Sequence, residues 1–174
     1  WNTLDYVYQG SPEPDLFGGI RNVFSYKKWT LDTFAHFSIG NTMFNGSVAE
    51  SYYARGAYLN LLPELKDRWT EENYMSDIPR AGTAFGTYVT TNETSFQDAS
   101  FFRLKNVTLT YDLDNPPFVR DASIYVSAQN LLLISDYKWG DPEVSQYGNQ
   151  LNRGVSDSSY PYSSSVSLGL NIKF

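Results

Sequence analysis

Ser165-Val166-Ser167-Leu168-Gly169-Leu170-Asn171-Ile172-Lys173-Phe174 closes the chain, and its reading decides the fold. Val166, Leu168, Leu170, Ile172 and Phe174 alternate without exception with Ser165, Ser167, Gly169, Asn171 and Lys173. A period of two puts every apolar side chain on one face of a β-strand. The same pattern recurs upstream. Val107, Leu109, Tyr111 and Leu113 interleave with Asn106, Thr108, Thr110 and Asp112. Ala122, Ile124, Val126 and Ala128 oppose Ser123, Tyr125, Ser127 and Gln129. Between them, Asp114, Asn115, Pro116 and Pro117 supply a short turn, so residues 101 to 134 read as one long hairpin. Trp29, Leu31, Ala35, Phe37 and Ile39 alternate with Thr30, Asp32, His36 and Ser38. The preceding Ile20, Phe24 and Tyr26 mark a partner strand, joined through Lys27 and Lys28. Two residues break the pattern in this second hairpin: Phe34 on the polar face and Asn22 on the apolar one.

The expected strands therefore lie near residues 16–27, 28–42, 99–113, 119–135 and 163–174. Their connections sort into two kinds. Those near 27–28 and 114–118 are tight, whereas 43–98 and 136–162 are long and rich in Tyr, Trp, Gly, Asn, Asp and Ser. Alternating short and long connections between antiparallel strands of about ten residues is the layout of outer-membrane barrels. Counting back from a final strand that ends at the periplasm puts both tight turns inside and both long loops outside. Within the first long loop, Ser47-Val48-Ala49-Glu50 fits a capping box, and Val48, Tyr52, Tyr53 and Leu59 recur near helical spacing before Pro63. A short helix is expected there, weakened at Gly56, with a further turn around Trp69 in Leu65–Asn73.

Composition narrows the class. The 174 residues include 14 Tyr, 11 Phe and 4 Trp, and only 18% are charged, which suits strands better than helices. A net charge of −6 with no cationic cluster argues against nucleic-acid binding. With no cysteine, thiolate metal sites and cysteine nucleophiles are excluded. The longest aliphatic run, Leu131 to Ile134, is far short of the about 20 residues of a spanning helix. Trp1 to Gly10 lacks the features of a signal peptide and does not start with Met, so the chain reads as a mature product or a piece of something longer.

Alternation alone fits two architectures. In a sandwich the apolar face packs on a second sheet, and in a membrane barrel it meets lipid while the polar face lines a wet lumen. Strand length, the aromatic ends at Tyr26, Trp29, Tyr111 and Phe174, and the terminal aromatic favour the barrel. Five strands cannot close one, since the smallest have 8 and an open edge in lipid leaves backbone groups unpaired, so further strands must complete it.

Several stretches carry a family resemblance: SPEPDLFGGIRNVFSYKKWTLDTFAHFSIGN (11–41), RWTEEN with the later IPR (68–80), ASFFRLKNVTLTYDL (99–113), SIYVSAQNLLLISDYKWGDPEVS (123–145) and the terminal VSLGLNIKF. In order and spacing the chain resembles the C-terminal end of SusC/RagA-family TonB-dependent transporters. The resemblance implies an all-β antiparallel transmembrane barrel fragment, about the last five strands of a 22-stranded barrel whose lumen is plugged. It also implies an outer-membrane location in a Gram-negative bacterium. The implied partners are the remainder of the barrel and its plug, outer-membrane lipid, a SusD-type surface lipoprotein acting as a lid, TonB through a part absent here, and a glycan or peptide cargo. The function expected is nutrient import without enzymatic activity; the alternative is a secreted carbohydrate-binding β-sandwich.

Residue roles follow from placement. Trp69, Tyr74, Tyr88, Tyr137, Trp139, Tyr147, Tyr160 and Tyr162 lie in long loops, where flat rings suit sugar stacking or contact with a lid. Asn106, Thr108, Thr110, Ser123, Tyr125, Ser127 and Gln129 are expected to face the lumen. Phe174 resembles the terminal signal read by barrel-assembly machinery. His36, on a polar strand face without a second histidine, is expected to be a spectator. Asp136, Asp141 and Glu143 are hard oxygen donors without EF-hand spacing, and Glu71 and Glu72 lack a pocket for glycosidase chemistry. No cofactor, metal or catalytic group is expected. Gly18-Gly19 marks a bend or a close approach within a strand.

Overall fold

The computed structural model describes residues 7–53, 63–78, 80, 95–114, 118–144, 154–156 and 159–174. Its main body is a five-stranded antiparallel sheet of strands β1 (Leu16–Tyr26), β2 (Trp29–Ile39), β5 (Phe101–Asp112), β6 (Asp121–Ser135) and β8 (Ser165–Lys173), in the order β1-β2-β5-β6-β8. Each strand pairs with the next in this order, so the sheet is a meander with two open edges, β1 and β8. Three short strands, β3 (Thr42–Asn45), β4 (Phe96–Asp98) and β7 (Val155–Ser156), form a second sheet in the order β4-β3-β7. It continues from the end of β2, where the Ala99 N–H donates to the Asn41 carbonyl at 2.8 Å.

Register explains why alternation is so regular. Tyr26 faces Trp29, and Trp29 faces Tyr111, which faces Ile124; one row along, Phe24, Leu31, Leu109, Val126, Leu168 lie side by side. Thr33, Val107, Ala128 and Val166 make the next row. All of these sit on one face, and among the described residues no second sheet seals it: Leu168 is 76% and Val166 70% exposed. That leaves a continuous apolar surface open, where a soluble sandwich would bury its counterpart. The rings of Trp29 and Tyr111 meet at 4.7 Å where this face reaches the tight turns.

Eleven residues in each of β1 and β2 rise about 3.4 Å apiece, so with a tilt of about 40° they cross about 28 Å, the height of a hydrocarbon layer. The β1–β2 connection is only Lys27-Lys28, with Lys27 at φ 55°, and Lys28 reaches across to pair with Asp114 of the other tight connection. The turn residues 115 to 117 lie outside the described residues.

The polar face carries a bidentate Arg21–Asp32 pair (2.6 and 3.1 Å) and a closed triangle of Asn106, Thr108 and Ser127. One of the two pattern breakers is explained here. Phe34 lies over Gly19, where a Cβ would come within 2.8 Å of its ring. Asn22 faces Thr33, whose hydroxyl donates to the Asn22 carbonyl. Gly18 and Gly19 are thus sites of close approach, under Phe37 and Phe34 respectively.

The helix α1 forms over Gly46–Tyr53, but its cap differs from the expectation. Asn45, not Ser47, accepts the Val48 N–H on its side-chain oxygen at 3.1 Å, which makes Asn45 the N-cap and Val48 its third helical residue. Buried as it is, Asn45 also donates to the Lys138 carbonyl at 2.9 Å, so one side chain serves the helix and a distant loop. Gly56 and Leu59 lie outside the described residues. A 3-10 turn occupies Pro63–Asp67, and the Thr70–Asn73 backbone closes a further turn.

Candidate functional site

The densest charged cluster among the described residues stands where the polar face meets the long connections. β2 presents His36, directly opposite Arg103 of β5. Pairing then skips Lys105: Phe34 faces Asn106 while Ala35 faces Leu104. This bulge turns Lys105 to the same face as Arg103, and Asn106 to it as well. The segment after β6 brings in the opposite charges. Arg103 pairs with Asp141 at 2.5 Å and approaches Glu143 at 2.9 Å; Lys105 reaches Glu143 at 2.5 Å, and His36 stands 3.6 Å from the same oxygen.

Asp141 is the node of this cluster. One carboxylate oxygen accepts from the Arg103 guanidinium and from the Glu143 N–H at 3.0 Å, and the other accepts the Tyr162 N–H at 3.0 Å. The side chains of Arg103 and Asp141 are each 3% exposed. At that depth each charge depends on the other, because a buried ion without its partner costs about 3–5 kcal/mol. The Tyr162 ring covers the cations, 5.5 Å from the Arg103 guanidinium and 4.7 Å from the Lys105 ammonium. His36 also packs edge-on against Phe101 at 5.3 Å, so it belongs to this cluster. Asp141 and Glu143 are thereby committed to cations of the protein itself.

The aromatic candidates separate by exposure. Tyr137 is 7% exposed and packs with Met43 and Ala99, the small core beneath the second sheet. Burial pushes its phenol above the usual tyrosine range; the Ser156 hydroxyl opposes that shift and the Asp141 charge adds to it. Trp139 is half exposed at φ 60°, Tyr160 is 89% exposed, and Tyr74 is exposed beside the Thr70–Asn73 turn. Trp69 is half-buried, its N–H donating to the Ile78 carbonyl at 2.8 Å. Tyr88 and Tyr147 lie outside the described residues.

The seven polar strand residues all occupy the polar face. Asn106, Thr108 and Ser127 hydrogen-bond together, Ser123 accepts from Asn171 at 3.5 Å, and Thr110 lies opposite Tyr125. Tyr125 covers Gly169, whose missing Cβ leaves the ring its place. Gln129 faces Ser165 near the bulge. Phe174 follows β8 on the tight-turn side and is exposed. Sequence reading missed Arg103 and Lys105. Their signal was present as two cations two residues apart before a regular strand, and Asp141 and Glu143 two residues apart beyond it.

An open-edged antiparallel sheet, apolar and exposed on one side, hydrogen-bonded and polar on the other, with strands tall enough to cross a bilayer, defines a fragment of a transmembrane β-barrel. No protein-family model matches the chain. It is 38% identical over 181 residues to TonB-dependent receptor P26 of Formosa agariphila, a match covering 99% of this chain and 18% of that receptor. To the TonB-dependent receptor SusC of Bacteroides thetaiotaomicron it is 26% identical over 183 residues, covering 97% of this chain and 16% of SusC. Among solved structures, the RagAB peptide importer in its closed-closed state matches with a TM-score of 0.79 at 29% identity, over 95% of this chain and 18% of the other. The open-open state gives 0.75 over 92% of this chain and 17% of the other. The chain spans less than a fifth of the length of these relatives. It belongs with the SusC/RagA family of TonB-dependent receptors, and these relatives are receptors and transporters, not enzymes.

Proposed function

We propose that this chain is part of the wall and rim of an outer-membrane importer. The supporting observation is the division of one sheet into two faces. The apolar rows from Phe24 to Leu168 and from Thr33 to Val166 are open, as lipid contact requires, and the opposite face is polar. The open edges β1 and β8 need further strands, because unpaired N–H and C=O groups within hydrocarbon cost several kcal/mol each. On this reading Asn106, Thr108, Thr110, Ser123, Tyr125, Ser127 and Gln129 face the lumen or its plug. The Trp29–Tyr111 pair sits at the periplasmic interface, and Phe174 serves barrel assembly.

The long connections then stand on the cell surface. Exposed Trp139, Tyr160 and Tyr74, with half-buried Trp69, are the rings offered to an oligosaccharide or peptide, or to a SusD-type lipoprotein closing over them. Energy coupling through TonB belongs to regions of the parent outside these residues. Similarity to the RagAB peptide importer and to the TonB-dependent receptor SusC supports import as the activity. Fractionation tests the reading: the parent is expected in the detergent-extracted outer membrane, and its recovery in the soluble periplasm would end it. Cargo class is read by growth of a strain lacking the parent, on peptide or on oligosaccharide as sole nutrient.

A further inference from the structure

We infer that Asp141 is a positioning residue, a clasp that fixes two separate stretches of the rim to the barrel wall through Arg103. Three pieces of chain converge on its carboxylate: β5 through the Arg103 guanidinium, the segment following β6 through the Glu143 N–H, and the approach to β8 through the Tyr162 N–H. The Glu143 N–H closes a local turn on the carboxylate, but Arg103 and Tyr162 lie 38 and 21 positions from Asp141, so no local turn preference accounts for their meeting there. Glu143 repeats the device one step further out, drawing in Lys105 and His36.

Two features make the clasp a means of placing the rim rings. Trp139 stands two residues before Asp141 at a positive φ, which a tryptophan does not adopt without support from its surroundings. The backbone on its other side is held as well: the Lys138 N–H donates to the Gln97 side chain at 3.0 Å and its carbonyl accepts from Asn45 at 2.9 Å. Trp139 is therefore presented between two tethered points while its ring stays half exposed. Tyr162, the second ring, is held by its own N–H on Asp141 and by the cations beneath it. The inference rests on the proposed role of this rim in import, yet its test needs no cargo.

The full-length parent, inserted in phospholipid vesicles, is compared with its Asp141→Ala and Asp141→Glu forms by tryptic cleavage after Lys138, an exposed site, and by the emission of Trp139. The latter is obtained as a difference against Trp139→Phe. Asp141→Ala is expected to retain the heat-modifiable folded barrel, to be cleaved at least tenfold faster, and to shift the Trp139 emission; Asp141→Glu restores part of both. If Asp141→Ala abolishes assembly, Tyr162→Pro measured against Tyr162→Ala decides, since both lose the ring over the cations but only proline removes the N–H donor to Asp141, and Arg103 keeps its partner in each. Faster cleavage there supports the clasp. A folded barrel with cleavage rate and Trp139 emission unchanged overturns it. A parent that never enters vesicles refutes instead the membrane reading on which the inference stands.

Discussion

Replacing Leu170 by arginine puts a charge on the face assigned to lipid, and the neighbouring position supplies its own control. Leu170 faces Ile124 on the apolar side and stands four residues along the strand from the terminal aromatic Phe174. At about 3.4 Å per residue and a tilt of about 40°, it is about 10 Å from the aromatic level, close to the middle of a hydrocarbon band about 25 Å tall. Arginine facing lipid at the midplane costs about 2–4 kcal/mol. At about 1.4 kcal/mol per factor of ten, the folding equilibrium falls roughly 30-fold to several-hundred-fold. Asn171, one residue on, faces Ser123 on the polar side, and arginine there is expected to change stability by less than about 0.5 kcal/mol. The measurement is a urea titration of the full-length parent in phospholipid vesicles, scored by the mobility difference between folded and boiled barrel. Equal tolerance of both substitutions would refute lipid contact, and the opposite order would mean that the faces are reversed.

Three further outcomes follow from local geometry. Gly169→Ala sets a methyl group against the Tyr125 ring and is expected to cost about 1–3 kcal/mol in the same titration, with most of the loss recovered in the double variant carrying Tyr125→Ala. Asn45→Ala removes the cap of α1 and the bond to Lys138; a loss of about 1 kcal/mol from the cap alone is expected, read as faster hydrogen exchange at Val48 with no change in barrel assembly. Tyr137 has its phenol raised by burial, so the neutral form is favoured in the folded rim: its contribution is intact below about pH 10, where an unfolded tyrosine ionises, and is lost as pH rises through the folded value. The Trp139 emission should shift in that alkaline window, and Tyr137→Phe should remove the shift.

How much of this was legible beforehand depended on distance along the chain. The strands announced themselves because burial, or here lipid, acts on every second residue, and the Val166–Phe174 pattern needs no partner to be read. The cap of α1 was misplaced by two residues: Ser47 and Glu50 satisfy a pattern, but Asn45 reaches the Val48 N–H and is also held by Lys138, 93 positions away. Tyr137 and Trp139 look alike in composition, yet one is core and the other half exposed, because Met43 and Ala99 arrive from elsewhere to cover the first. The charged cluster was the least readable part. Its members come from β2, β5 and the stretch beyond β6, and only strand pairing brings His36 opposite Arg103.

The bulge at Lys105 has a use that strict alternation would forbid. Nearer the tight turns, even-numbered residues of β5 lie on the polar face, and beyond the bulge odd-numbered ones do. A single extra residue thus works as a gear change. It lets one uninterrupted strand keep Val107, Leu109 and Tyr111 on the apolar face, then hand two neighbouring positive charges to Asp141 and Glu143. Flattening the bulge with Lys105 kept in the ladder would turn Arg103 to the apolar face, whereas deleting Lys105 leaves Arg103 opposite His36 and costs only the cation beside Glu143.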